Sequence, residues 1–206
     1  VSPRDAELPG RGGDEAATVA PAGVFGLIAG DYRRIAPRFT WSGFLRAYCW
    51  DETFALVVWY RLAHHWSVTR PCLPLLLPCY LMLRRQNRRS GVTLSRHVRI
   101  GPGFRIEHAG KSYIHMDAVF GAECTIMHNV TVGVSHSRRG KPGVPVIGDR
   151  VFIGPNAVLY GGIRVGDDAM VGANSVVNRD VPAGTLAVGC PAVIKSAAPS
   201  GAAGGA

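Results

Sequence analysis

Two histidines stand in the same local setting. His108 follows Ile106 by two residues, and His128 follows Ile126 by two. Unperturbed imidazole titrates near ~6.5, so at neutral pH it can take a proton from a hydroxyl and give it back. Two imidazoles held side by side suit acid–base work on an alcohol; with a third ligand they would suit a metal. Glu107 precedes His108 and is placed to orient an imidazole or to touch a substrate. A third histidine, His136, lies within Ser135 to Pro145, a stretch rich in Gly, Ser, Arg and Pro that reads as a protruding loop. Whether these groups act together depends on the element that carries them.

That element is a six-residue beat. Leu94, Ile100 and Ile106 are six apart; so are Ile114, Phe120, Ile126 and Val132, and then Ile147, Ile153, Leu159, Val165, Val171 and Val177. A second inward-sized residue follows four places on, as at Val98, Phe104, Ala118, Cys124 and Val130. A helix needs apolar residues every three or four and a plain strand needs alternation, so neither explains this period. Short strands separated by turns and coiled into a solenoid do. Ile106 to Ile114 is eight, leaving two residues extra, and Val132 to Ile147 is fifteen, leaving nine. Three hexads make one coil. His108 and His128 are twenty apart, and removing the two extra residues leaves one coil. The two imidazoles are therefore expected to stack at one corner, spaced by the ~4.8 Å that separates neighbouring strands. Pro155 and Ala173 continue that column.

Four segments carry a resemblance: Ile106-Glu107-His108, Ile126-Met127-His128-Asn129-Val130-Thr131-Val132-Gly133, Ile147 to Gly154, and Gly189-Cys190-Pro191-Ala192. Over roughly residues 55 to 195 the chain resembles hexapeptide-repeat acyltransferases of the serine acetyltransferase branch, and within it the colanic-acid-type polysaccharide acetyltransferases. The resemblance implies a mainly β fold, a left-handed parallel β-helix preceded by an α-helical segment. It implies acetyl-CoA as acyl donor, no metal, and a homotrimer in whose inter-subunit groove the pantetheine arm lies. His108 matches the family's catalytic histidine and becomes the general base, acting in a ternary complex without an acyl-enzyme. Glu107 stands where serine acetyltransferases have aspartate. His128 is a second catalytic candidate, and His136 a substrate contact reaching a neighbouring site. Gly154, Pro155, Gly172 and Ala173 are candidate donor contacts, with Lys195 meeting a coenzyme A phosphate.

The rest of the chain sets bounds. Its 206 residues suffice for one domain with a helical prelude, and 26 glycines fit many tight turns. The formal charge of +9 is scattered, without zinc-finger spacing or an aromatic-basic sheet pattern, so nucleic acid is not the expected partner. The five cysteines are irregularly spaced and form no metal or disulfide framework, which points to a reducing cytoplasm. Residues 1–23 are polar and expected to be disordered, with no apolar core of a signal peptide. Residues 24–90 read as helical: one helix from Val24 to Ile35, one capped by Thr40 or Ser42 and running to Trp50, one from Phe54 to Trp66, and one from Leu73 to Arg89. Pro71 to Leu83 is apolar but too short to span a bilayer, and Pro74 and Pro78 are expected to interrupt it. The basic run Arg84 to Arg89 has two readings, a solvated helix end or a peripheral contact with an anionic membrane or acceptor. Residues 91–195 form the β-helix domain and 196–206 a mobile tail.

Departures from the family shape the acceptor. Serine acetyltransferases carry Arg-His before the proline that ends the loop, where this chain has Gly143-Val144 before Pro145. An aspartate that supports their catalytic histidine aligns with Thr93. The expected acceptor is therefore a hydroxyl of a sugar, glycan or related small metabolite, with serine as the alternative. From other classes stand a non-catalytic scaffold and a γ-type carbonic anhydrase, whose histidine pair five apart is missing from the sequence.

Overall fold

The computed structural model describes residues 23–136 and 141–196. The expected tails fall almost wholly outside these residues, as do residues 137–140 of the expected loop. Four helices lead the chain: α1 (Val24–Arg33), α2 (Trp41–Trp50), α3 (Glu52–His64) and α4 (Leu73–Ser90). Fifteen short strands follow among the described residues.

The strands stack into three sheets, and each turn of the chain visits all three. The first sheet is β1 (Thr93–Leu94), β4 (Tyr113–Ile114), β7 (Thr131–Gly133), β10 (Val158–Tyr160) and β13 (Val176–Val177). The second is β2 (Arg99–Ile100), β5 (Val119–Phe120), β8 (Val146–Ile147) and β11 (Arg164–Val165). The third is β3 (Arg105–Ile106), β6 (Thr125–Ile126), β9 (Phe152–Ile153), β12 (Met170–Val171), β14 (Thr185–Val188) and β15 (Val193–Ser196). Coil strands pair in parallel, and among the fifteen described strands only the last pair, β14 with β15, is antiparallel. This is a parallel β-helix with a helical prelude.

The beat is the core. Every aliphatic or aromatic on the six-residue step from Leu94 to Val177 is buried, as are the small partners Ala118, Cys124, Val130, Ala157, Ile163, Ala169 and Ser175. Burial pushes the Cys124 thiol up to about 11, so it packs and does not react. Corners between the second and third sheets need left-handed backbone, supplied at Gly103, Glu123, Arg150 and Asp168. Those between the third and first sheets use Asn129, Asn156 and Asn174, a residue type that tolerates this region. Each inward aliphatic contributes about 1.5–3 kcal/mol by leaving water.

The helices cap the first coils and share their core: Leu56, Val57, Tyr60, Ala63 and Leu83 pack into the same cluster as Leu94, Val98 and Ile100. Thr40 caps α2 by accepting from the Gly43 N–H. Asp51 caps α3 by accepting from Thr53 and Phe54, which starts that helix two residues earlier than expected. α3 then passes at His65 into a π turn that ends at Thr69. The prolines of α4 do not interrupt it. Pro74 sits in the first turn, where N–H groups lack helical partners anyway, and Pro78 forgoes one bond inside the helix. Leu73, Leu77 and Leu81 lie exposed along α4. Among the described residues no helix is long and apolar enough to cross a membrane.

A buried ion pair ties the prelude to the coils. Arg61 of α3 donates from Nε and Nη2 to the two carboxylate oxygens of Asp31 in α1, at 2.8 and 3.0 Å. The same guanidinium donates to the carbonyls of Ile100 and Gly101, and Asp31 also accepts from the Phe104 N–H.

His64 makes a second tie, since its Nδ1 donates to the Arg96 carbonyl at 2.8 Å. Burial, its largest influence, holds this imidazole below its usual range. The unfolded chain thus binds the proton more readily than the folded one. The contribution of His64 is intact above the unfolded value of 6.5 and is lost as pH falls from there through the lower folded value. The urea midpoint is expected to drop between about pH 7 and pH 5, and His64→Gln to make that slope shallower, leaving the share of His97, also held low by burial. An equal slope in the variant would remove His64 as the cause.

Candidate active site

Strand register decides where the histidines fall. Ile106 pairs with Ile126, Ile126 with Ile153, and Ile153 with Val171. Two residues further on, His108, His128, Pro155 and Ala173 therefore form one column along the corner between the third and first sheets. The imidazole centroids of His108 and His128 lie 6.0 Å apart, with their planes tilted by 53°. His108 is exposed in the single chain and His128 is half-buried.

The two extra residues of the beat build the turn that carries His108. Gly110 donates to the Ser90 carbonyl at the end of α4, and Lys111 N–H donates to Asn129 Oδ1 at 3.0 Å. A Cβ on Gly110 would lie 2.9 Å from His128 Cβ, so the absent side chain is what lets the turn close over the second imidazole. Asn129 donates to Asn156 and Asn156 to Asn174, each at 3.0 Å, a ladder one residue beyond the histidine column. Below the site the Thr53 hydroxyl lies 2.8 Å from the Ile106 carbonyl, joining the start of α3 to the strand that leads into His108. Gly110, Thr53 and the asparagine ladder went unread in the sequence, although the ladder's one-coil spacing was a usable signal.

Glu107 is engaged by its own strand. Its carboxylate lies 2.8 Å from Arg105 Nη2, and its N–H donates to the Ile126 carbonyl. Its ion pair is with arginine rather than with an imidazole. His136 is exposed and follows Ser135, which exchanges backbone hydrogen bonds with Gly143 at 2.9 and 3.0 Å. That loop leaves the coil between the first and second sheets, a different corner from the histidine column. His97 and His115 occupy turns at that other corner too, and His115 Nδ1 lies 3.7 Å from the Asp117 carboxylate.

Above the histidines the surface is lined by small groups. Pro155 is half-buried and Ala173 exposed, and Gly154 is buried. A Cβ on Gly154 would stand 2.8 Å from the Ala173 nitrogen, so coil stacking alone demands glycine there. Gly172 is covered more loosely, with Val188 Cγ2 at 3.1 Å from a Cβ built on it. Lys195 is exposed on β15 opposite Leu186. Among the described residues no three His, Cys, Asp or Glu side chains gather where they could hold a metal ion.

Comparison with known proteins places this arrangement. Residues 145–179 match the family described as bacterial transferase hexapeptide (six repeats). A serine acetyltransferase of Helicobacter pylori is 39% identical over 103 residues, half of this chain, and the chain spans 60% of that relative's length. A serine acetyltransferase of Synechococcus elongatus is 33% identical over 171 residues, covering 82% of this chain and 67% of that protein. The crystal structure of Neisseria gonorrhoeae serine acetyltransferase in complex with serine superposes with a TM-score of 0.69 at 29% identity, covering 84% of this chain and 69% of that one. These relatives correct the expected branch, because the colanic-acid-type resemblance finds no support among them. With the coil, the prelude and two-thirds of a serine acetyltransferase's length matched at 33% identity, the chain belongs to the serine acetyltransferase family of hexapeptide-repeat transferases.

Proposed function

We propose that the protein is an acetyl-CoA-dependent O-acetyltransferase whose acceptor is the hydroxyl of L-serine. One observation carries the reading: an exposed imidazole, His108, stacked 6.0 Å from a second imidazole at the foot of a column of small residues. A hydroxyl is a poor nucleophile while protonated, so the reaction needs a base at its oxygen. His108 takes the hydroxyl proton as the oxygen attacks the thioester carbonyl. The C–S bond then breaks, and the leaving thiolate takes the proton from the imidazolium. Serine thus becomes O-acetylserine and coenzyme A leaves as its thiol. Backbone N–H groups of the coil or loop are the donors for the tetrahedral oxygen.

The other assignments follow from position. His128 borders the acceptor beside His108. Glu107, held by Arg105, serves the acceptor side rather than orienting a ring. Gly154, Pro155, Gly172 and Ala173 form the wall of the donor groove, and Lys195 meets a phosphate of the donor. The family resemblance implies that the active species is a homotrimer in which neighbouring copies close this groove and bring His136 to it. Serine as acceptor is supported by the relatives matched, including one solved in complex with serine.

A sugar hydroxyl remains the second reading, favoured by Gly143-Val144 where an Arg-His pair was expected. The test is release of coenzyme A thiol from purified protein whose mass is fixed by light scattering. Serine-dependent release by a trimer is expected. Release with hydroxylated sugars alone selects the second reading, and release with neither, or by a monomer, removes the proposal.

A further inference from the structure

A cavity of about 240 Å³ lies between the C-terminal half of α4 and the start of the first coil, away from the histidine column. Tyr80, Arg84, Asn87, Ser95 and Arg96 line it. The guanidinium of Arg96 sits 4.8 Å from the centre of the Tyr80 ring, and that of Arg84 sits 5.9 Å from the same ring. Among the described residues neither arginine is paired with a carboxylate. Two cations held near one ring repel each other, and an anion between them would offset that repulsion.

Two buried atoms point the same way. Arg96 Nε is buried and has no hydrogen-bond partner. Asn87 donates from Nδ2 to the Leu94 carbonyl at 3.0 Å, which fixes the amide and leaves Oδ1 buried and unpartnered. Buried polar groups are ordinarily satisfied, and the side chains that carry these two both line the cavity. Arg96 Nε asks for an acceptor and Asn87 Oδ1 for a donor.

We propose that this cavity binds a small oxyanion, a carboxylate or phosphate group, on a molecule that also carries an N–H or O–H donor. The arginines take the oxyanion and Asn87 takes the donor. Monohydrogen phosphate and a zwitterionic amino acid both meet the description. The site is independent of the acetyl-transfer reading, since it uses none of the same residues.

Calorimetric titration of the intact protein with inorganic phosphate, and separately with glycine, tests it. At least one probe is expected to bind, and which one binds identifies the source of the oxyanion. Arg96→Gln is expected to weaken that binding roughly tenfold or more, the effect of one lost charge-assisted contact. Arg84→Gln, at an exposed side chain, carries the test if Arg96→Gln lowers the urea midpoint. The control Arg85→Gln/Arg88→Gln is expected to bind as the wild type does. No binding of either probe, or equal weakening in the control, would overturn the site in favour of a diffuse positive surface.

Discussion

His108→Ala is expected to lower kcat for acetyl transfer by about 10²–10⁴-fold, the range a positioned acid–base group supplies. The KM for acetyl-CoA should change little, because the imidazole acts on the proton in flight and not on the donor's resting contacts. His108 is exposed in the single chain, so its loss should leave the folded state within about 0.5 kcal/mol of wild type. That separates a chemical defect from a structural one. His128→Ala supplies the contrast. His128 is half-buried beneath the turn of Gly110, and its loss should raise the KM for the acceptor more than it lowers kcat. A His108→Ala protein that keeps more than about a tenth of wild-type kcat with serine would leave too little of the effect for a general base. The base would then have to be sought elsewhere on the column.

The juxtaposition of His108 and His128 was legible because a solenoid turns sequence separation into vertical position. Once the beat is counted, Ile106 must stand under Ile126, and everything two residues later follows. The helix caps were legible in part for a local reason: Thr40 reaches a donor three residues on. Asp51 does the same at the next helix and was overlooked. What escaped was non-local or conditional. The Asp31–Arg61 pair joins residues thirty apart on two helices, and no periodicity marks it. The prolines of α4 read as breakers, yet one falls in the first turn and the other costs a single bond. The loop carrying His136 was recognisable as an insertion, but the corner it leaves from depends on which sheet β7 joins. The choice of branch was drawn from His128, Gly143, Val144 and Thr93, and similarity over 171 residues outweighs those positions.

Breaking the Asp31–Arg61 pair is expected to cost about 3–5 kcal/mol of folding stability, the usual result of leaving one buried charge alone. Both side chains are almost wholly inaccessible, at 1% and 3% exposure, so solvent screening brings little relief. Burial raises the Asp31 carboxyl above its usual range even with Arg61 beside it. The pair is therefore expensive to bury and intolerant of losing either member. Asp31→Asn leaves the guanidinium without its counter-charge. Arg61→Met leaves the carboxylate without its cation and frees the carbonyls of Ile100 and Gly101 as well, so it should be the worse of the two. The double variant Asp31→Asn/Arg61→Met should lose less than the two single losses added together, because neither charge is then stranded. Urea midpoints of the four proteins measure the coupling. The consequence reaches the site: Asp31 also holds the Phe104 N–H, four residues before His108 and at the entry to β3. Single variants that stay folded should thus lose acetyl transfer in parallel with stability, whereas strict additivity across the cycle would mean that the two charges do not depend on one another.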